Sequence, residues 1–305
     1  MEDRSAAWRS TPDVPVFQLF VFTILLPLIT IAMLWRRPRR PFAGWLATLF
    51  LAIGVTGFSV LVAPWGWFGL PMRYALMVLF VAALAASLRR TLPSEVKEES
   101  PLRAVVKVLV AFFFGGVAFG VLRAYEVPPG AIDLSFPLRG GSFLIGHGGS
   151  TAAANMHHAH PQQRYAVDVM KLNSYFMRAR GLYPRDVRRY AIYDAEVLSP
   201  CDGTIVSIVD ALPDQTPGTV DAKNLAGNHV IVRCGDANVT LAHLRRGSVA
   251  VRAGATVTKG QLLGRVGNSG NTSEPHLHIH AERNGVAVPT TFNGEWWVRN
   301  ELARR

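Results

Sequence analysis

Two patterns of hydrophobic positions divide this chain. Up to about residue 125 apolar residues run in long unbroken stretches, and beyond it they alternate with polar ones in short runs. Val16 to Trp35 is apolar over about the 20 residues that a bilayer-spanning helix needs, and Arg36, Arg37, Arg39 and Arg40 close it. Phe42 to Ala63, Met72 to Leu88 and Ala104 to Leu122 repeat the pattern. Four spans are therefore expected, at about 16–35, 42–63, 72–88 and 104–122, within a membrane region 1–124. The first run is too long for the apolar core of a cleaved leader, has no basic segment before it and is followed at once by another apolar run.

Loop charge orients the spans. Four arginines lie between the first and second, and Arg89, Arg90, Lys97 and Arg103 lie between the third and fourth, whereas PWGWFGLPMR carries only Arg73. Basic loops stay cytoplasmic, so an even number of spans places the N-terminus and the region 125–305 outside the cytoplasmic membrane. Trp65 and Trp67 suit either an aromatic interfacial belt or a packed turn. Lys107 is expected to snorkel toward the cytoplasmic interface. No span carries a run of internal acids or histidines, so nothing argues for a transporter or a proton relay, and an anchor in the lipid bilayer is expected.

From Tyr125 the pattern becomes that of a β domain. LSFPLRGGSFLIGHGGS reads as a hairpin, RYAVDVM as a strand, and Lys171 to Asp194 as a long polar excursion. DGTIVSIVD, GNHVIVRC, NVTLAHL and SVAVRAGATVTKGQLLGRVGN are short alternating runs broken by Gly, Asp and Asn, as in compact antiparallel sheets. Composition adds two points. A net charge of +11 is accounted for by arginine beside membrane segments, so nucleic acid is not called for as a partner. Cys201 and Cys234 either pair, if this region lies in an oxidising compartment, or remain as buried thiols.

Candidate chemistry is concentrated in the β region. In GNSGNTSEPHLHIHAE the side chains of His276, His278 and His280 share one strand face. Upstream, NMHHAHPQQRYAVD clusters His157, His158 and His160 ahead of Asp168, a carboxylate inside a strand that needs a partner once buried. His243 sits in or at the end of VTLAHL. A catalytic zinc takes three ligands of the His/Asp/Glu type and keeps a fourth position open, so one upstream His, Asp168 and one His of the strip form a candidate set.

These blocks, with FPLRGG, SPCDGTIVSI, NHVIV, LAHL and VRAGATVTKGQLLGRVGNSGNTSEPHLH in that order, resemble the lysostaphin-type (LytM-like) zinc metallopeptidases over about Leu134 to Arg283. The resemblance implies a lysostaphin-type, barrel-sandwich-hybrid-like β domain behind the α-helical membrane domain. It also implies one zinc ion per domain, held by His157, Asp168 and His278, with His243 and His276 as catalytic partners. Asn155, His157 and Gln163 to Asp168 match a subset of relatives in which the upstream His lies well before a Gln-Arg-Tyr-Ala-x-Asp block, and His160 is the runner-up. His280 stands where the family usually has Glu and is given no role. The implied activity is a membrane-anchored zinc metalloendopeptidase cutting peptide cross-links of bacterial peptidoglycan.

Three other readings separate from this one. A cupin-like metal site would need a further His downstream of Glu282, where none follows. Lipoyl- or biotinyl-like carriers use a similar hairpin but need no His cluster. A non-catalytic wall-binding regulator that activates other hydrolases is the remaining alternative, and such relatives usually lack the metal ligands that this chain keeps.

Overall fold

The computed structural model describes residues 16–36, 42–88 and 100–305, so the basic residues between spans lie largely outside the described residues. Among the described residues four helices are long and apolar enough to cross a membrane: α1 (Phe17–Trp35), α2 (Phe42–Val62), α3 (Leu70–Leu88) and α4 (Pro101–Arg123). A π-helical stretch, Val21–Leu25, interrupts α1. Lys107 does not snorkel. It is buried in the bundle, and its Nζ donates to Thr48 Oγ1 of α2 at 3.1 Å, a partner that makes burial of an ammonium tolerable.

Helix ends leave carbonyls without intrahelical partners. Here the β region supplies them. Arg299 Nε donates to Val62 O (2.7 Å), Asn300 Nδ2 to Leu61 O (3.0 Å) and Ala63 O (2.8 Å), Thr151 Oγ1 to Gly120 O (2.7 Å), and Trp296 Nε1 to Ala124 O (3.0 Å). The C-terminal ends of α2 and α4 therefore face the β region. So does the start of α3, where Arg73 Nη1 donates to Asn300 O at 2.9 Å. The turn Trp65–Trp67 between α2 and α3 is buried rather than spread on an interface: Trp65 is 0% and Trp67 1% exposed.

A nine-stranded antiparallel sheet carries the site. Six of its strands matter here: β1 (Ser142–His147), β2 (Val167–Leu172), β3 (Gly203–Val209), β4 (Asn228–Cys234), β5 (Ala237–Leu244) and β6 (Leu277–Arg283). Their order is β1-β2-β6-β5-β4-β3, with Leu302–Arg304 outside β1, Thr256–Val257 outside β3 and Val286–Val288 added to β6. Phe143, Ile145, Val167, Val169, Leu241, Leu277 and Ile279 point to one core, as period-2 alternation dictates. Leu144 and Leu172 point the other way and pack with Trp65, Leu70 and Leu76 of the helical region.

The hairpin reading of LSFPLRGGSFLIGHGGS is corrected. Ile132–Leu134 pairs in parallel with Thr290–Phe292, not with β1, because Asn293 Oδ1 and Leu134 O tie that edge to the distant segment. The excursion after Lys171 holds a single 3-10 turn, Val187–Arg189, and packs on Trp67 through Ala179, Tyr183 and Tyr190. Cys201 and Cys234 form a disulfide with Cα atoms 5.9 Å apart, bridging the turn before β3 to the end of β4.

Candidate metal centre and its cleft

Register brings the two halves of the site together. Asp168 of β2 and His278 of β6 are direct cross-strand partners in the antiparallel ladder, so their side chains leave the same face side by side. His278 Nδ1 lies 2.9 Å from Asp168 Oδ1. His157 arrives from the 3-10 turn Met156–Ala159, whose N-cap Asn155 accepts from His157 N at 3.1 Å and donates to Ala166 O at 2.9 Å. That fully buried asparagine fixes the turn against the start of β2, and His157 Nε2 lies 2.9 Å from Asp168 Oδ2.

One atom each of His157, Asp168 and His278 lies within 4.8 Å of the others, and among the described residues no other group of three His, Cys, Asp or Glu side chains converges in this way. Ligands at zinc bond lengths and tetrahedral angles stand about 3.3 Å apart. The donor set and its spacing, two imidazoles beside one buried carboxylate, therefore fit a zinc ion. His160 is exposed on the cleft rim and is not in this group.

Burial alone would raise the Asp168 carboxyl. The charges of His157 and His276, with hydrogen bonds from His157 and His278, outweigh it and hold the group well below the usual carboxylate range. Burial likewise works to lower His157, but the adjacent Asp168 carboxylate wins and raises it. His278 is lowered, by burial first, against the pull of Asp168.

His243 reaches this face by breaking the strand rule. Thr240 and Ala242 of β5 pair with His280 and His278, so alternation would send residue 243 to the core side with Val239 and Leu241. A bulge against β4 and a left-handed backbone at His243 (φ 63°) turn its ring back, leaving the centroids of His243 and His276 4.8 Å apart. Such a φ costs about 1–3 kcal/mol in a non-glycine residue and is held by the surroundings. Here His243 N donates to Ala226 O and Gly267 N donates to His243 O. His243 Nδ1 lies 2.9 Å from Ser269 O and His276 Nδ1 2.8 Å from Glu274 O. A carbonyl only accepts, so each Nδ1 donates and, in the neutral ring, Nε2 carries the lone pair; the Nε2 of His276 lies 3.6 Å from Asp168 Oδ1. Burial, then the neighbouring imidazoles, pushes His243 well below the ordinary histidine value, which keeps it neutral.

The loop that holds these carbonyls depends on glycine at one point. Gly270 has φ 87°, and a Cβ there would stand 2.4 Å from Gly227 N.

Five neighbours escape sequence reasoning. His280 Nδ1 lies 2.9 Å from His278 Nε2, so the residue without an assigned role is the partner of the other nitrogen of a candidate ligand. His147 lies beside Asp168 because β1 bulges between Ile145 and His147, and its ring centroid is 5.9 Å from that of His157. Arg299 Nη1 lies 3.1 Å from His147 Nδ1, and burial together with that guanidinium lowers His147 to about 3. Only the G-H-G-G punctuation around residue 147 hinted at irregular backbone. Last, Arg178 and Glu274 form a buried ion pair, with the Arg178 guanidinium 5.0 Å from the Trp67 ring centroid.

Residues 188–290 match Peptidase family M23. The M23 match takes in His243, His276 and His278, while His157 and Asp168 lie upstream of it. Among curated proteins, the chain is 31% identical over 121 residues to the peptidoglycan DD-endopeptidase ShyA of Vibrio cholerae serotype O1, covering 38% of this chain and 26% of that protein. It is 35% identical over 92 residues to an uncharacterized metalloprotease of Haemophilus influenzae, covering 30% and 17%. The chain thus spans about a quarter or less of the length of these relatives. Among solved structures, a zinc containing peptidase from Vibrio cholerae is similar at 24% identity over 33% of this chain and 26% of its own, with a TM-score of 0.26. A putative peptidase M23 from Pseudomonas aeruginosa is similar at 17% identity over 64% and 63%, with a TM-score of 0.32. The M23 match supports a peptidase role for the β region.

Proposed function

We propose that this protein is a membrane-inserted zinc endopeptidase that cuts peptide cross-links of bacterial peptidoglycan, with residues 125–305 as its peptidase domain outside the cytoplasmic membrane. The observation that carries the reading is the convergence of His157 and His278 on the two oxygens of Asp168, beside the paired imidazoles of His243 and His276. His157, Asp168 and His278 would hold the metal. Zinc supplies Lewis acidity toward a carbonyl oxygen and lowers the pKa of a water it binds. The chain's own groups do the rest. His243 and His276 are placed to take a proton from the attacking water and to hydrogen-bond the carbonyl oxygen as negative charge builds on it. The likeness to a peptidoglycan DD-endopeptidase supports the substrate class. The disulfide supports an oxidising compartment and hence the outward orientation.

The test uses the full chain purified in detergent, assayed for bound zinc and for peptide release from purified peptidoglycan, beside His278→Ala and His243→Asn. Stoichiometric zinc with product release that His278→Ala abolishes is the expected result. Zinc without any product, or product undiminished in both variants, overturns the reading in favour of a wall-binding regulator.

A further inference from the structure

The cleft over the metal centre, about 930 Å³, is not built from the β region alone. Leu19 of α1 and Pro64 and Trp67 of the turn after α2 line it together with His157, Asp168 and His278. Trp67 is held there firmly: its ring stacks on Tyr183 at 4.0 Å between centroids and meets Tyr190 edge-on, and Gly66 O accepts from Arg178 N at 2.8 Å. Leu19 lies within the first turns of a helix of membrane-spanning length, so one end of the cleft meets the level at which hydrocarbon begins. The rim shares this character. Met156, Val220 and Leu225 line the cleft and are 63%, 41% and 60% exposed. Exposed apolar side chains that line a binding cleft favour an apolar occupant. A cross-bridge of glycine or alanine has little apolar surface to offer them.

We infer that the helical region forms one wall of the reacting cleft, through Leu19, Pro64 and Trp67, and that the substrate is a peptide covalently carried by a membrane lipid, its scissile bond at the imidazoles and its hydrocarbon along the apolar rim. This rests on the peptidase reading and narrows it: the reacting groups stand at the membrane surface, within reach of peptides borne there. The occupant is set by continuity. The imidazoles of the cleft take a peptide carbonyl, its lining includes Leu19 of a membrane-spanning helix, and one molecule that satisfies both has a peptide joined to a hydrocarbon chain.

The full chain in phospholipid nanodiscs is given two probes at matched concentration, a cross-linked disaccharide-peptide dimer and the same dimer bearing a palmitoyl chain on a free amine. Burying even two methylenes against the rim corresponds to about tenfold in binding, so kcat/KM for the acylated dimer is expected to exceed that for the plain one by at least about tenfold. Simple concentration in the bilayer is separated from use of the rim by Leu225→Glu and, independently, Val220→Glu, both at exposed positions. Each is expected to lower the acylated-to-plain ratio, which is internal to each variant and cancels any general loss of activity. Equal kcat/KM for the two probes in the unaltered chain overturns the inference while leaving the peptidase reading intact. A ratio unmoved by both variants overturns it as well. Cleavage of neither probe refutes the peptidase reading itself.

Discussion

The Cys201–Cys234 bridge allows a stability prediction with a number attached. The two residues are 33 positions apart, and the bridge ties the turn before β3 to the end of β4 within the main core. Closing a loop of that length removes about 12 cal/mol/K of chain entropy from the unfolded state, about 3.7 kcal/mol at 25 °C. For a domain of this size each kcal/mol moves Tm by about 2–4 °C. The double variant Cys201→Ala, Cys234→Ala is therefore expected to melt roughly 7–15 °C below the bridged protein. Cys234 is nearly buried, so loss of packing adds to the fall and does not reverse it. The assay is tryptophan fluorescence against temperature on the full chain in detergent, scanned with and without a membrane-permeant reductant. Reduction of the unaltered protein should bring its Tm down to near that of the double variant. If both lie within about 2 °C of the oxidised protein, the bridge is either absent in cells or closes a loop already restricted in the unfolded state, and the reasoning fails.

Three further outcomes follow from the site. His280→Ala should weaken zinc affinity by about 10–100-fold in competition with a chelator, and His280→Glu should recover most of it, since either side chain can accept from His278 Nε2; affinity unchanged in His280→Ala would remove His280 from the site. At His243, Asn tolerates the left-handed backbone and Val does not, so His243→Asn should keep the wild-type Tm within a few degrees while kcat falls by about 10²–10⁴, whereas His243→Val should lose stability too; equal melting of the two would contradict the role given to φ. Lastly, His147 and His280 are lowered by burial to about 3, against about 6.5 in the unfolded chain, so the unfolded state binds protons first as pH falls. Metal-free protein should lose stability from about pH 6.5 down toward pH 3, and a Tm flat between pH 6 and 4 would count against that assignment.

Much of this architecture is legible in residue order because it rests on local rules. Helix length follows from unbroken apolar runs, and the shared face of His276, His278 and His280 follows from the pleat. Asp168 was identifiable as a carboxylate in need of partners because its neighbours are core valines. What local rules miss is where the backbone departs from them. His243 and His147 reach the cleft through bulges, which no alternation pattern announces. Lys107 was misread because the hydroxyl that receives it, on Thr48, is 59 residues away on another helix. The parallel pairing of Ile132–Leu134 with Thr290–Phe292 likewise joins segments that are local only after folding. The contribution of Trp67 to the cleft belongs to the same class, since a tryptophan in a turn between two spans has an adequate reason to be there without any partner.

The capping of α2 by Arg299 and Asn300 sets an order of events during synthesis. Carbonyls at Leu61 and Val62 take donors that lie 237 to 239 residues later. By then all four helices have left the ribosome, and under the proposed orientation the β region must be almost wholly exported before those donors arrive. Until that moment the end of α2 lacks these donors, even after Arg178, Tyr183 and Tyr190 have packed on Trp67, so this wall of the cleft is fastened last at the helix end. A chain stalled before residue 299 would thus leave the end of α2 uncapped and the cleft without Arg299, so that hydrolytic activity would emerge only once Arg299 and Asn300 had been exported.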